Sequence, residues 1–520
     1  MNAGPRRHGN TTGSAWSMFI SMTTVLAALL LSATTLATAR AEEPATGATP
    51  KDATPPVVTV APAAPPATTT AQDSAPTQAS AKTRIVDPRM DAYDQFRMLF
   101  ETARFEEALP FAVRVVELSE AHPDRDTELS IAYNNLGATQ YQLNDYPAAE
   151  KSYKKSLELL EATQGISSTR LIAPLAGLGA VYAALDQHAL AVPELDRALA
   201  VSRRSEGLFN LSQLPLIEKA AASRYALGDY GGVEQDYFYA LRLSEQNYGY
   251  DDPRTVPAAM KLAVFYESVK QFAAARGLYL RVRDIGMKES GGFNPLVIKS
   301  LIAIGRTHRL QYTMEPESLE NQQSASDEAS GQMTGRPYSD SRMPQATDRS
   351  GIGSLEQALE ILRAAADPPQ PLLAETLLEL GDWYQATSRT STAMPYYAEA
   401  SSIYAANGDA DMGNPLLVPR MVFYRPPSAS TRSFSAMADQ IVLRQAEFSL
   451  SVNEAGDTHN VTVVSTDMSE GQLAQCRRAV ERAVYSPRFA NGRPVATDGV
   501  QFISRWYEQR KTEPPSTTGG

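Results

Sequence analysis

Cysteine and histidine are scarce in this chain, and their scarcity excludes two kinds of site. The 520 residues include a single cysteine, Cys476, so neither an intramolecular disulfide nor a cysteine-based zinc cluster can form. Five histidines stand at positions 8, 122, 188, 308 and 459, and no two are close enough in sequence to suggest a metal-binding or catalytic pair. We therefore expect no metal site.

Basic charge is also in deficit, which argues against a nucleic-acid partner. Lys and Arg number 48 against 59 Asp and Glu, for a net charge of -11, whereas binding to phosphates needs a clustered excess of cations. Catalytic motifs are missing as well: the sequence has no serine nucleophile elbow, no H-E-x-x-H and no glycine-rich phosphate loop after a strand. The scattered acidic residues fall on amphipathic helix patterns and are interpreted as solvated faces. The sequence predicts a protein that is not an enzyme and holds no cofactor.

The first 41 residues have the pattern of an export signal. Arg6 and Arg7 precede an apolar stretch over residues 18–36, and residues 37–41 carry the A-x-A pattern of a signal-peptidase site. The alternative is an uncleaved anchor, because the stretch approaches the roughly 20 residues that span a bilayer. Both interpretations place the bulk of the chain outside the cytoplasm. We expect the periplasm of a Gram-negative-type bacterium or, for an anchored chain, the periplasmic side of the inner membrane.

Residues 42–83 consist mainly of Ala, Thr and Pro. Such a composition cannot bury enough apolar surface to offset the entropy of ordering, and proline extends the chain. We predict a disordered, semi-extended linker.

An internal repeat follows the linker. Four segments share a template of small and apolar residues, a short polar turn, and a second amphipathic stretch. One position of the second stretch recurs at exact 42-residue steps, at Ala149, Ala191, Val233 and Ala275. Equal steps of this kind indicate stacked supersecondary units.

The repeat resembles the tetratricopeptide (TPR) motif. The resemblance is carried by Leu136, Gly137 and Tyr153 in one repeat and by the equivalent Leu178 and Gly179 in the next. It implies a mostly α fold, a TPR-type α-solenoid of about seven helix pairs. The 42-residue period exceeds the usual 34, so we expect longer helices than in the common form.

The repeats divide into two stretches. We predict TPR repeats over residues 84–312 and 353–408, separated by a disordered polar insertion over residues 313–352 in the turn between two helices. Several prolines then mark a linker over residues 409–440, where the repeat period ends.

The last part of the chain has a different pattern. Phe448, Leu450 and Val452 alternate with serines, a Glu-Ala-Gly-Asp turn follows, and a second alternating run comes after it, which predicts a β-hairpin. Ser469 and Gln472 have the spacing of a capping box and open an amphipathic helix. An Asn-Gly turn and a final strand complete the pattern. We predict a small α+β domain over residues 441–510 and a disordered tail over residues 511–520.

This order of elements resembles the C-terminal domain of TonB-type energy transducers. The resemblance rests on "FSLSVNEAGDTHNVTVVS", on "RAVERAVYSPRF" at the helix end, and on "NGRPVATDGVQF". It implies an exposed sheet edge that pairs with a strand of another protein, main chain to main chain. The expected edge runs from Val500 to Tyr507.

Two functions are consistent with this organisation. The first is a non-enzymatic periplasmic scaffold, in which the TPR groove binds a polypeptide and the TonB-like domain contacts another envelope protein. The second is a membrane-anchored TonB-type transducer for outer-membrane receptor transport, which requires an uncleaved N-terminus; membrane contact is expected only in that case. The expected partner is a protein or peptide of the cell envelope, and a homo-oligomer is compatible with the sequence. The predicted partner-binding residues are Asn134, Tyr141, Glu218, Tyr225, Glu267, Arg306, Arg309, Val500, Phe502 and Trp506.

Overall fold

Helices make up most of the chain that the structure describes. The computed structural model describes residues 87–121, 126–289, 293–314, 351–408, 413–427, 441–490 and 492–509. The predicted export signal, the first linker, the C-terminal tail and all but the ends of the polar insertion lie outside these residues. No described helix is both long and apolar enough to cross a membrane.

Fourteen of the described helices form seven successive pairs, which confirms the predicted fold class. In chain order they are α1 (Pro88–Glu101), α2 (Phe105–Glu120), α3 (Asp126–Gln142), α4 (Tyr146–Gln164), α5 (Ile172–Ala184), α6 (His188–Glu206), α7 (Leu214–Ala226), α8 (Tyr230–Tyr248), α9 (Val256–Ser268), α10 (Phe272–Glu289), α11 (Pro295–Met314), α12 (Gly351–Ala364), α13 (Gln370–Ala386) and α14 (Thr390–Ala406). Odd-numbered helices are the first members of their pairs, and even-numbered helices are the second.

The repeat period reappears in the turns inside the pairs. Residues with left-handed backbone recur there at 42-residue intervals: Asn144, Asp186, Gly228 and Lys270, with φ of 60, 56, 74 and 62°. Asn, Asp and Gly adopt this conformation readily, whereas a lysine is strained in it. Asp229, directly after the glycine, caps α8 by accepting the Gly232 N–H at 3.0 Å. The turn therefore both reverses the chain and starts the second helix.

The recurrent small residue lies at the centre of every pair. Seven equivalent positions on the second helices are fully buried: Ala108, Ala149, Ala191, Val233, Ala275, Ala358 and Ala393. The first helices have small residues where they cross the second ones. A Cβ added at Gly381, for example, would lie 2.5 Å from the Tyr397 ring. The pairs thus need small side chains because their backbones approach closely.

In the third, fourth and fifth pairs the second helix is the longer member, whereas in the sixth pair the first helix α11 has 20 residues and α12 has 14. The helices α4, α6 and α8 have 19 residues each, and α10 has 18. By contrast, α5, α7 and α9 have 13 residues, each preceded by a 3-10 turn of three residues. The expected lengthening is therefore unevenly shared within a pair.

The described chain divides into two compact units within α9, after Leu262. In the first unit, Tyr153, Leu175 and Leu195 belong to a continuous core between neighbouring pairs. The second unit contains the remaining pairs and the terminal α/β module, whose core is separate and includes Phe448 and Cys476.

The terminal α/β module contains seven strands and one helix among its described residues. These are β1 (Arg420–Phe423), β2 (Ile441–Val452), β3 (Thr458–Thr466), α15 (Glu470–Val480), β4 (Val484–Ser486), β5 (Arg488–Ala490), β6 (Arg493–Val495) and β7 (Thr497–Gln509). The main sheet is antiparallel with the order β3-β2-β7, while β1 pairs with β4 and β5 with β6. The predicted hairpin and final strand are both present. Gln472 accepts the Ser469 N–H at 2.9 Å, as expected for the capping box of α15.

One strand lies inside the segment predicted as a linker. Residues 420–423 form β1, with Met421 opposite Tyr485 in β4. Val422 is buried, and Tyr424 packs on Phe502 with the ring centroids 4.8 Å apart. This part of the 409–440 stretch is therefore structured, because its apolar side chains find partners in the module.

Candidate functional site

Predicted groove residues of the second unit form a ladder of ion pairs across three first helices. Arg306 on α11 donates to Glu267 of α9 at 2.8 Å and to Glu375 of α13 at 3.2 Å. Burial alone would lower the pKa of Arg306, but the surrounding carboxylates outweigh it and hold the pKa well above its ordinary value. The structure thus brings Glu267 and Arg306 together, with each already engaged by the other.

A buried charge cluster adjoins this ladder. Arg309 donates to Glu379 at 2.8 and 3.1 Å, and its Nη2 lies 3.5 Å from an oxygen of Asp382. Asp382 has no exposed surface and also accepts from Arg420 at 2.6 Å and from the Tyr397 hydroxyl at 2.9 Å. Burial would lower the pKa of Arg309, yet the charges of Glu379 and Asp382 raise it. Two guanidinium groups therefore face two carboxylates, the balance that buried charges require.

Gln385 of α13, at the repeat position equivalent to Arg309, contacts the terminal module. Gln385 stands four residues after Gly381, just as Arg309 stands four after Gly305. Its Nε2 donates to the main-chain carbonyls of Ala455 at 2.7 Å and Tyr485 at 3.1 Å. A first-helix side chain thus binds the backbone of the β2–β3 turn and of strand β4 in the same chain.

Aromatic contacts also join the terminal module to the last helix pairs. The Tyr312 ring lies 6.5 Å from Phe423 of β1 and 5.8 Å from Trp383 of α13. Phe489 of β5 packs on Tyr397 at 6.2 Å and belongs to the core of the last helix pairs. The module is therefore docked on α13 and α14 by polar and apolar contacts together.

The first unit uses two of the predicted groove residues in its own turns. Tyr141 packs on Tyr146 with centroids 5.6 Å apart, and Tyr225 packs on Tyr230 at 5.5 Å. Each pair joins the end of a first helix to the start of the second. Both Tyr141 and Tyr225 remain partly exposed.

A mixed charge pattern lies on α7 and α9 of the same unit. Glu218 forms an ion pair with Lys261. Burial lowers the pKa of the neighbouring Lys219 to about 8. The two lysines therefore occupy different environments, one paired with a carboxylate and the other desolvated.

Asn134 is 4% exposed and lines a cavity of about 400 Å³ in the first unit. Its Nδ2 lies 3.5 Å from Asn135 Oδ1, while no donor among the described residues reaches its own Oδ1. Asn134 is thus the predicted residue with the clearest capacity for a further hydrogen bond.

The strand β7 is an edge of the main sheet, as expected from the sequence. It pairs with β2 on one side, and no other described strand pairs with it. The side chain of Trp506 belongs to the buried core of the module, and the partly buried Phe502 packs against that core. On the opposite face Ile503 and Tyr507 are exposed. A strand added at this edge would use the backbone of β7 together with these outward side chains.

The sequence interpretation missed Glu379, Asp382, Gln385 and Arg420. A signal was present in "AETLLELGDWYQA", where acidic residues recur within a helix that is otherwise apolar. Nearly every residue of α13 is buried, so the carboxylates of Glu379 and Asp382 and the amide of Gln385 need partners. Arg420, the partner of Asp382, lies 38 residues further along the chain, so the local sequence pattern could not identify it.

Comparison with known proteins supports the repeat type over part of the chain. Residues 97–162 match the family model described as tetratricopeptide repeat, which confirms the TPR prediction there; it is not the model of a catalytic family. The match does not extend to the terminal module, so the resemblance to TonB remains a prediction. No curated protein matches the chain in sequence.

Solved structures with similar helical repeats share little sequence with this chain. The nearly identical TPR-like repeats of a kinesin light chain protein from Podosopora anserina are 16% identical, with a TM-score of 0.37 over 40% of this chain and 98% of that one. The C-terminal part of a TPR repeat-containing protein from Cytophaga hutchinsonii is 14% identical, with a TM-score of 0.40 over 62% and 99%. At this level of similarity neither structure informs the function of this chain.

Proposed function

We propose that the chain is a non-enzymatic protein-interaction scaffold, exported to the periplasm of a Gram-negative-type bacterium. The first helices bind a polypeptide, and the edge strand β7 pairs with a strand of another envelope protein. Stacked TPR pairs suit this role because they present extended surfaces built from successive helices. The export signal read from the sequence supports the compartment.

One observation carries the proposal for the first helices. In the second unit, Gln385 donates to two main-chain carbonyls, so a first-helix side chain binds polypeptide backbone within this molecule. Tyr141 and Tyr225 stand at the equivalent position of earlier pairs and carry hydroxyl donors. A bound polypeptide can accept from these donors in the same way.

The sheet edge supports the second contact. The backbone groups along the outer side of β7 have no strand partner among the described residues. Unpaired edges of this kind accept an additional strand, and neighbouring side chains then give selectivity.

In-cell photocrosslinking tests both surfaces. A photoreactive amino acid replaces Tyr225 or Tyr507 in the full chain, with Lys155 and Arg242 on the exposed sides of second helices as controls. We expect discrete adducts from the two test positions that are absent from the controls. The proposal fails if adducts are absent from both test positions or equally frequent at all four.

A second function, a membrane-anchored TonB-type energy transducer, is favoured by the free edge of β7 and by the N-terminal apolar stretch. Sequencing the N-terminus of the protein from fractionated cells distinguishes the two. A chain that begins near Glu42 excludes anchoring through that segment, whereas an intact N-terminus in the membrane fraction supports the transducer.

A further inference from the structure

A pocket in the first unit departs from the repeat that surrounds it. It has a volume of about 400 Å³ and lies between the first helices α3, α5 and α7 and the C-terminal halves of α4 and α6. Leu160, Ile172 and Leu216 form apolar walls. Pockets of roughly 300–1,000 Å³ with apolar walls and a few polar groups are typical of ligand sites.

Polar residues line this pocket where other repeats are apolar. Ser130 is buried, and the equivalent positions 42 residues apart hold Ile172, Leu214, Val256 and Ile298. Ser156 is buried as well, and its equivalents are Ala198, Ala240 and Val282. Other repeats thus fold without polar groups at these positions, whereas here the Ser130 hydroxyl donates to Thr127 O at 2.6 Å and the Ser156 hydroxyl to Ser130 O at 2.7 Å.

Asn134 provides a hydrogen-bond acceptor without a donor. The side chain is more than nine-tenths buried, and its Oδ1 has no partner among the described residues. A buried acceptor left unpaired costs about 1–3 kcal/mol, which a ligand N–H or O–H would recover. In the following repeat the equivalent residue is Ala176, which also lines the pocket and leaves room beside the amide.

Glu206 provides a fixed negative charge on the rim. Its Oε2 accepts from the hydroxyls of Ser202 and Ser212, each at 2.7 Å. The equivalents of Glu206 and Ser212 one repeat later are Tyr248 and Arg254, so this arrangement is local. Arg170 lies on the same rim, but it is exposed, and no side-chain hydrogen bond holds it among the described contacts.

We propose that this pocket is an anchor subsite for a peptide segment of the partner. The segment inserts an apolar residue between the walls, donates a main-chain N–H to Asn134 Oδ1, and places a Lys or Arg side chain at Glu206. The volume admits about three residues, more than a single side chain. This proposal rests on the proposed scaffold function and assigns it a location and a partner chemistry.

Selection of a phage-displayed random peptide library against the full chain tests the proposal. We expect enriched peptides to share an apolar residue close to a basic one. Their dissociation constants are then measured by fluorescence polarisation with wild type and variants. Ala176→Met fills the pocket with the residue found at the equivalent Met260, so the fold tolerates it; we expect affinity to fall about tenfold or more.

Two further variants separate the contacts. Glu206→Gln should weaken only peptides with the basic residue, by about two- to fivefold, because Glu206 is exposed. Ser244→Ala is the control, because Ser244 is equivalent to Ser202 but donates to Ala240 O within its own helix; no change is expected. If enriched peptides bind wild type and Ala176→Met equally, or if they are acidic, the pocket proposal is wrong while the scaffold function stands. If no peptide is enriched, both are contradicted.

Discussion

The first helices of the two units differ in how their polar side chains are engaged. In the second unit, Arg306, Arg309 and Gln385 are engaged by carboxylates and by the terminal module. In the first unit, Tyr225 remains partly exposed and Asn134 keeps an unpaired acceptor. The same repeat template thus forms contacts within the chain in one unit and leaves polar groups available for binding in the other. Position within the repeat alone does not identify a binding residue.

The largest expected effect comes from breaking the charge cluster of the second unit. Asp382→Ala leaves Arg309 and Arg420 facing only Glu379 and removes the acceptor of Tyr397. Loss of one partner of a buried ion pair costs about 3–5 kcal/mol. Urea unfolding should show this decrease in the free energy of unfolding. Glu399→Ala, which removes the exposed pair with Arg363, is the control and should change it by less than about 1 kcal/mol.

Loosening the attachment of the module should have a smaller effect. Gln385→Ala leaves the carbonyls of Ala455 and Tyr485 without their side-chain donor, at a cost of about 1–3 kcal/mol. Hydrogen exchange should rise around residues 453–457, while Gln475→Ala on the exposed side of α15 should leave it unchanged. Equal exchange in both variants would show that Gln385 does not hold the module.

Removing the charge of Lys219 in the first unit should stabilise the fold, in contrast to the two preceding substitutions. Burial lowers the pKa of Lys219 to about 8 from an ordinary 10.5, so keeping it protonated in the folded state weakens folding at neutral pH. This penalty is complete below pH 8, declines as the pH rises to 10.5, and disappears above it. Lys219→Met should therefore raise the free energy of unfolding by about 1–3 kcal/mol at pH 7.

The control for Lys219 is Lys261 on α9, the next first helix. Lys261→Met removes the ion pair with Glu218 and should give no gain at pH 7. Denaturation of both variants at pH 7 and near pH 11 checks the sign. If Lys219→Met raises the free energy of unfolding by the same amount at both pH values, the increase comes from packing and not from removal of the charge.

The smallest effect concerns the turn position that the repeats share. Lys270 has φ of 62° where the previous repeat has Gly228. Lys270→Gly removes backbone strain and should raise the unfolding free energy by about 0.5–1 kcal/mol, the balance of about 1–2 kcal/mol of relieved strain and the flexibility of glycine. Gly228→Ala is the reciprocal variant and should lower it by a similar amount. Thermal unfolding measures the stability change in both variants. Changes in the same direction would contradict the explanation by backbone strain.

The repeat was predictable because its signal is periodic and local. Each pair buries the same small position, so Ala149 and Ala191 identify the register from sequence alone. The alternating strands and the capping box of the module were equally local. By contrast, Gln385 and Tyr485 are 100 residues apart, and nothing in the flanking residues of either indicates the other. The strand β1 was missed for the same reason, since four residues between prolines reveal no partner.

Docking of the module also decides where the stack of repeats ends. Each helix pair presents an apolar side to the next pair, and the last pair of a series has no successor to cover it. Here Phe489 and Leu416 join Tyr397 and Tyr404 in one core, so the module covers the side that an eighth pair would use. The terminal module thus ends the series of repeats. A chain truncated before residue 413 should expose the apolar surface of the last helix pair to solvent.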